Sequence, residues 1–276
     1  MIRNQAEFAK EHFDVIVLAG QSNAEGWGLG DCNPVYEPDE RILALEDEHF
    51  VKYRQDGEGK TYLDVKEPTA SKISVAKEDL NDAGATRGCF ALSFAKKYLQ
   101  NDLADGRKIL ILKAAVGGTG FCKNEWRVGD PLHRRLKNML QSALAMNPEN
   151  RLVAFLWHQG ESEAFQAQPV EKACSVLHND LTAFLRDMRS IDGANNVPFI
   201  CGGFVNDWAS KNPAQIFPVM DCIKAFAEGC GKGIYVETAD LPSNNQTIHN
   251  EDVIHFSRQS LHHLGERYYA AFKKIQ

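Results

Sequence analysis

The chain has 276 residues, of which 43% are apolar and 25% charged, and its formal net charge is −6. That length can bury a core without staples, and the composition excludes a disordered, collagen-like or disulfide-scaffolded chain. The acidic balance argues against nucleic acid as the main partner, because phosphate binding needs a basic face.

No apolar run reaches the roughly 18 residues of a membrane span. The start, residues 1–8 (MIRNQAEF), lacks an apolar stretch followed by a small-residue cleavage site, so a cytoplasmic location is expected for the chain as written. Seven cysteines, at 32, 89, 122, 174, 201, 222 and 230, form no Cys-x-x-Cys pair. The odd count predicts free thiols, and the missing ligand spacings argue against a cysteine zinc site.

Residues 14–20 (DVIVLAG) open the chain's pattern as a nearly continuous apolar run. Such a run predicts a strand buried on both faces, as in a parallel sheet. The segment from about Trp27 to Arg87 then breaks the rhythm. It is rich in charges, and its strand-like pieces are 41–45 and 49–54. It reads either as a solvated insertion or as a lid beside a cleft. Helical spacing follows over 89–104, and a second strand over 108–116 (KILILKAAV). A helix over 132–146 leads to a third strand at 151–159 (RLVAFLWHQ), and a helix over 170–188 to a fourth at 197–205 (VPFICGGFV). A helix over 213–228, a fifth strand at 233–239 (GIYVETA) and a helix over 257–274 complete the chain. Pro131 and Pro213 suit first helical turns, and Ser257 suits an N-cap. Alternating strands and helices predict an α/β fold with helices on both faces of the sheet. No linker or repeat divides the chain, so 1–276 reads as one domain with an irregular insertion at about 27–87.

Ligands of a parallel α/β sheet bind beyond the carboxyl ends of its strands. The first strand ends in Gly20-Gln21-Ser22-Asn23, the second in Val116-Gly117-Gly118-Thr119-Gly120, and the third in His158-Gln159-Gly160-Glu161. Asp252 and His255 follow the fifth. Acyl transfer needs an alcohol nucleophile, a base within hydrogen-bond reach and a carboxylate that orients the base. Ser22, His255 and Asp252 supply those types, and three residues of spacing let one turn join Asp252 to His255. The Ser22 N–H, the Gly117 N–H and the Gln159 amide are candidate donors to an oxyanion.

Each piece has a plainer reading alone: Ser22 as a helix cap, Gly117-Gly118 as a tight turn, His158 and Gln159 as buried polar groups, and His255 as an ordinary packed histidine. Their joint placement at strand ends favours a hydrolase. His249 is a rival base. Asn206, Asp207 and Trp208 form either a sugar-facing wall or ordinary loop packing, and His262-His263 reads as a solvated helix face. Gly26-x-Gly28-x-Gly30 lacks the setting of a dinucleotide loop, and Gly229-Cys230-Gly231-Lys232-Gly233 reads as a helix end rather than a P-loop. Glu161 and Glu163 lie too close in sequence to flank a sugar as a glycosidase pair.

The blocks Gly20-Gln21-Ser22-Asn23, Val116-Gly117-Gly118-Thr119, His158-Gln159-Gly160-Glu161 and Asp252-x-x-His255-Phe256 resemble those of the SGNH hydrolase superfamily. They are most similar to its branch of sialic acid-specific acetylesterases and acetylxylan esterases, from about Asp14 to Ala271. The resemblance implies a flavodoxin-like α/β/α sandwich with a five-stranded parallel sheet. It implies Ser22 as nucleophile, His255 as base and Asp252 as its partner, with Ser22, Gly117 and Gln159 lining the oxyanion hole. Gln21, Asn23, Gly118, His158 and Glu161 would then support the site or bind substrate. The implied reaction removes O-acetyl groups from a small or oligomeric carbohydrate, without cofactor or metal. Ala24 and the segment 26–30 (GWGLG) depart from the branch's pattern at the expected rim. Alternatives are an SGNH-type lipase or thioesterase, and a non-catalytic carbohydrate-binding protein.

Overall fold

The structure, a computed structural model, describes residues 2–47, 51–55, 57, 61–65 and 71–276. Its central sheet has seven strands: β1 (His12–Gly20), β2 (Ile42–Asp47), β3 (Ser71–Val75), β4 (Arg107–Lys113), β5 (Arg151–His158), β6 (Phe199–Gly202) and β7 (Gly233–Val236). They lie in the order β7-β6-β5-β1-β4-β2-β3. Every neighbouring pair is parallel except β2 and β3.

The five expected strands are β1, β4, β5, β6 and β7. Numbered among themselves they stand in the order 2-1-3-4-5, the flavodoxin-like winding. The sheet departs from the five-stranded expectation by two strands, both drawn from the irregular segment. Ile42, Leu43, Ala44 and Leu45 are all buried, so β2 covers the edge that β4 would otherwise expose. β3 buries only Ser71 and Ile73, the alternation of an edge strand. The expected strand at 49–54 overlaps a strand over Val51–Gln55, which pairs antiparallel with Thr61–Val65; positions 49 and 50 lie outside the described residues.

Five longer helices fill the outer layers: α1 (Phe90–Asn101), α2 (Pro131–Ala145), α3 (Val170–Arg189), α4 (Pro213–Gly229) and α5 (Arg258–Ile275). Each lies within a few residues of its expected span. Pro131 and Pro213 occupy first turns, and the Ser257 hydroxyl accepts from the Ser260 N–H as an N-cap. Successive residues of β1 point to opposite faces. Val15, Val17 and Ala19 pack with Leu136, Leu181 and Ile223 of α2, α3 and α4. Ile16 and Leu18 pack with Phe94 and Leu264 of α1 and α5. The result is an α/β/α sandwich. No helix among the described residues is long and apolar enough to cross a membrane.

The cysteines correct the expectation of free thiols. Cys174 on α3 and Cys222 on α4 form a disulfide, with Cα atoms 5.6 Å apart, while Cys32, Cys89, Cys122, Cys201 and Cys230 are free. A separation of 48 residues offers no spacing signal; only the packing of α3 against α4 brings the pair together.

Asp14 lies near the amino end of β1, remote from the strand's carboxyl end. Its fully buried carboxylate meets Arg107 Nε at 2.6 Å, Arg151 Nε at 2.7 Å and the Tyr98 hydroxyl at 2.6 Å. Burial acts to raise its pKa, but hydrogen bonds from Arg151, Tyr98 and Arg107 outweigh it and hold the value below the usual 3.8. A depressed folded pKa contributes stability that is present above the unfolded value and is lost as pH falls through the folded one. Asp14→Ala, which removes the buried acceptor shared by Arg107, Arg151 and Tyr98, is expected to remove about 3 kcal/mol of unfolding free energy at neutral pH in urea titration, with the difference shrinking below about pH 4. Denatured, unreduced protein is expected to titrate with five thiols and reduced protein with seven.

Candidate active site

β1 ends where Gly20 pairs with His158 of β5. A Cβ on Gly20 would lie 2.0 Å from the His158 carbonyl oxygen, and φ there is +126°, so the two strands approach this closely only through glycine. The chain then enters a single helical turn, Ser22–Glu25, and Ser22 stands at the carboxyl end of the sheet. This is the crevice where the winding reverses, with β4 on one side of β1 and β5 on the other.

His255 comes from the loop before α5. Its Nε2 is 2.9 Å from Ser22 Oγ, and its Nδ1 is 2.9 Å from Asp252 Oδ2. Asp252 also accepts from the His255 N–H at 3.2 Å and from Asn244 Nδ2 at 2.9 Å. Burial acts to raise the Asp252 pKa, but the bonds from His255 and Asn244 prevail and hold it below the usual carboxylate value. The ionised carboxylate therefore fixes Nδ1 as the protonated nitrogen and leaves Nε2 able to accept from the serine. His249, the rival base, is an exposed helix C-cap.

Asn23 clamps this loop. Its Nδ2 donates to the Ile254 carbonyl at 3.2 Å and to Glu161 Oε1 at 2.9 Å, while its Oδ1 accepts from the Phe256 N–H at 3.1 Å. Glu161 is buried, with His158 Nε2 3.5 Å from the same oxygen. Burial acts to raise the Glu161 pKa, but contacts with His158 and Asn23 lower it below the ordinary value. His158 is itself enclosed, with its Nδ1 3.3 Å from the Tyr268 hydroxyl.

Of the three expected oxyanion donors, two are engaged elsewhere. The Gln159 side chain is buried below the cleft, and its Nε2 lies 2.9 Å from Gln21 Oε1, 2.8 Å from the Thr119 carbonyl and 3.0 Å from Glu163 Oε2. The Gly117 N–H donates to Glu25 Oε2 at 2.6 Å. The Ser22 N–H has no acceptor among the described residues. Gln21 accepts from the Ser162 N–H at 3.2 Å, and the Gly118 carbonyl accepts from Lys123 Nζ.

These groups surround a cleft of about 340 Å³, lined by Gln21, Ser22, Trp27, Gly117, Gly118, Lys123, Glu161, Ser162, Phe165, Gln166, Ile254 and His255. Asn206, Asp207 and Trp208 do not line it: Asp207 accepts from Ser243 Oγ and buried Trp208 packs on Phe204, which is the plainer of the two sequence readings. Sequence reasoning missed Glu25, Lys123, Phe165 and Asn244. Asn244 joins Asp252 to the carbonyl of Trp27, and the capping box of Ser243 and Gln246 in the sequence marks the short helix that presents it. Glu25 was legible only as a residue three positions after Ser22 on one turn.

A family profile described as carbohydrate esterase, sialic acid-specific acetylesterase, matches residues 12–274. The chain belongs to this family. It is a carboxylic ester hydrolase that removes O-acetyl groups from carbohydrate. A probable 9-O-acetyl-N-acetylneuraminic acid deacetylase of Escherichia coli (strain K12) is 25% identical over 242 residues, covering 75% of this chain and 72% of that protein. The solved structure of NanS superposes with a TM-score of 0.72 at 18% identity, covering 96% of this chain and 97% of that one. A protein from Arabidopsis thaliana gives 0.65 at 18% identity, covering 95% and 98%. These two likenesses concern the fold.

The loop clamp yields a prediction. Asn23→Ala is expected to lower kcat at least tenfold, because a displacement of order 1 Å at the base costs about that much or more. Steady-state kinetics of the folded variant would check it, and an unchanged kcat would deny the clamp any part in the chemistry.

Proposed function

We propose that the chain acts as a single-domain serine esterase on O-acetylated sialic acid. The observation that carries this reading is the unbroken chain of contacts from Ser22 Oγ through His255 to Asp252, at 2.9 Å and 2.9 Å, at the mouth of the sheet. Ser22 Oγ attacks the acetyl carbonyl carbon while its proton passes to His255 Nε2. The carbonyl electron pair moves onto oxygen, where the Ser22 N–H stabilises it; one such donor is worth about 3 kcal/mol. The intermediate collapses, the bond to the sugar oxygen breaks, and His255 returns the proton to that oxygen. Water, deprotonated by His255, then attacks the acetyl-serine, releasing acetate and restoring the Ser22 hydroxyl.

The cleft supports a sugar as the leaving group. Trp27 and Phe165 remain 40% and 72% exposed at its rim, flat apolar faces of the kind that sugar rings stack on. Lys123 is the Lys or Arg side chain lining the cleft among the described residues, and Glu161 is the carboxylate lining it. An acidic sugar needs such a counter-charge in a chain of net charge −6. The Escherichia coli relative is named for an acidic sugar acetate, which agrees with this choice.

Ser22→Ala and His255→Ala are each expected to lose at least a thousandfold in kcat on an aryl acetate, roughly the scale of losing a nucleophile or its base. A serine-directed phosphonate should label wild-type protein at Ser22; retained turnover in Ser22→Ala would remove it from the nucleophile's role. Lys123→Gln should raise KM several-fold on O-acetylated neuraminic acid and leave a neutral aryl acetate unaffected. An equal effect on both esters would contradict the acidic-sugar reading.

A further inference from the structure

Glu25 ends the turn that begins at Ser22, so its side chain lies on the same face of that turn as Ser22. Three donors converge on its carboxylate. Oε2 accepts from the Gly117 N–H at 2.6 Å and from Trp27 Nε1 at 3.1 Å, and Oε1 lies 3.6 Å from Arg87 Nη2. Arg87 is fixed in turn: its Nε donates to the Gly26 carbonyl at 2.6 Å, and its guanidinium lies 4.5 Å from the centre of the Trp27 ring. That indole also stacks on the His255 imidazole, with ring centres 5.8 Å apart and planes 25° from parallel.

We propose that Glu25 is a positioning residue of the esterase, fixing the Trp27 ring against His255 and the Gly117 turn beside Ser22. The inference rests on the reading of Ser22 and His255 as nucleophile and base. It adds a residue that touches neither substrate nor reacting atoms.

The need for such a residue follows from the hydrogen bonds of His255. Asp252 and Ser22 hold the imidazole at its two nitrogens, along one line in the ring plane. Contacts along a line leave the ring free to tip about it. A flat aromatic face resists tipping, and it favours the positive charge that the ring gains when it takes the serine proton. An indole that is 40% exposed is not fixed by burial, so its N–H must be tied. A carboxylate suits that task because it accepts from several donors at once, and charge-assisted bonds are the stronger ones.

The same oxygen sets the place of the Gly117 turn. A Cβ on Gly117 would stand 2.8 Å from Glu25 Oε2 and 3.5 Å from Ser22 Cβ, so the turn, the carboxylate and the serine are in mutual contact. Convergence of three donors also distinguishes this arrangement from a gate. A carboxylate that must swing away to admit substrate would abandon all three.

Glu25→Ala, Glu25→Gln, Trp27→Phe, Trp27→Ala and the Glu25→Ala/Trp27→Ala double variant test the proposal, with a neutral aryl acetate as substrate and Ser22→Ala run alongside. Glu25→Ala is expected to lower kcat tenfold to a hundredfold with KM within about twofold, the pattern of a misplaced base rather than of lost binding. Glu25→Gln keeps an oxygen that accepts from both N–H groups and should recover most of the loss. Trp27→Phe keeps a ring without the N–H and should fall between wild type and Trp27→Ala. The double variant should be little worse than Trp27→Ala alone, since both changes break one linkage. A kcat in Glu25→Ala equal to or above wild type overturns the proposal, as does a double variant whose losses multiply. Those results with an inactive Ser22→Ala defeat the positioning role alone; a fully active Ser22→Ala defeats the underlying reading as well.

Discussion

Ser22 and His255 stand 233 positions apart in sequence and meet at 2.9 Å because the amide of Asn23 holds the loop that carries the histidine. One end of that amide donates to the Ile254 carbonyl and the other accepts from the Phe256 N–H. The residue between them therefore has little choice of position. Asn23 is in turn held by Glu161, which β5 delivers, and Ser22 is held by the approach of β1 to β5 at Gly20. Serine, asparagine and glutamate thus form one frame built on two adjacent strands, onto which the distant loop is fastened.

In the proposed mechanism negative charge develops near this frame's carboxyl groups, which would oppose the reaction if all were ionised. Burial eases this conflict. Glu163 lies beneath the cleft, where it accepts from the Gln159 amide and the Cys122 N–H, and desolvation pushes its pKa up. Glu125 accepts from the Gly120 N–H, and burial raises it to about 7. Both groups hold the 117–122 loop by hydrogen bonds while carrying less negative charge than exposed carboxylates would. Glu161 and Asp252 go the other way. Glu161 has His158 and Asn23 beside it, and Asp252 has His255 and Asn244, to favour the charged form.

The strands and helices were legible because parallel-sheet strands and amphipathic helices differ in apolar pattern, and five of each fell within a few residues of their expected places. The candidate triad was legible because Ser22 follows the end of β1, and Asp252 and His255 carry distinctive types three residues apart. What escaped shares a physical cause. The strand-like piece expected at 41–45 is β2, but its place in the central sheet was not legible, and β3 is short and alternates like an edge strand, because both are placed by the neighbouring strands rather than by their own pattern. The Cys174–Cys222 bridge depends on how α3 meets α4. Gln159 has the chemistry of an oxyanion donor, yet its direction is set by Gln21, Thr119 and Glu163, three partners scattered along the chain. Residue type reveals what a side chain can do; only packing reveals which partner claims it first.

The sheet also separates two demands along a single strand. Asp14, near the amino end of β1, is paired with two arginines and a tyrosine, so its buried carboxylate is fully satisfied by donors. Ser22, just past the other end, keeps a backbone N–H without an acceptor among the described residues and a hydroxyl held against His255 at the lining of the cleft. An unsatisfied donor costs stability in the resting protein, and a fully satisfied ion cluster offers a ligand nothing. Placing them at opposite ends of one rigid strand lets the cluster offset that cost without intruding on the cleft, so changes at Asp14 should register in unfolding and changes around Ser22 in turnover.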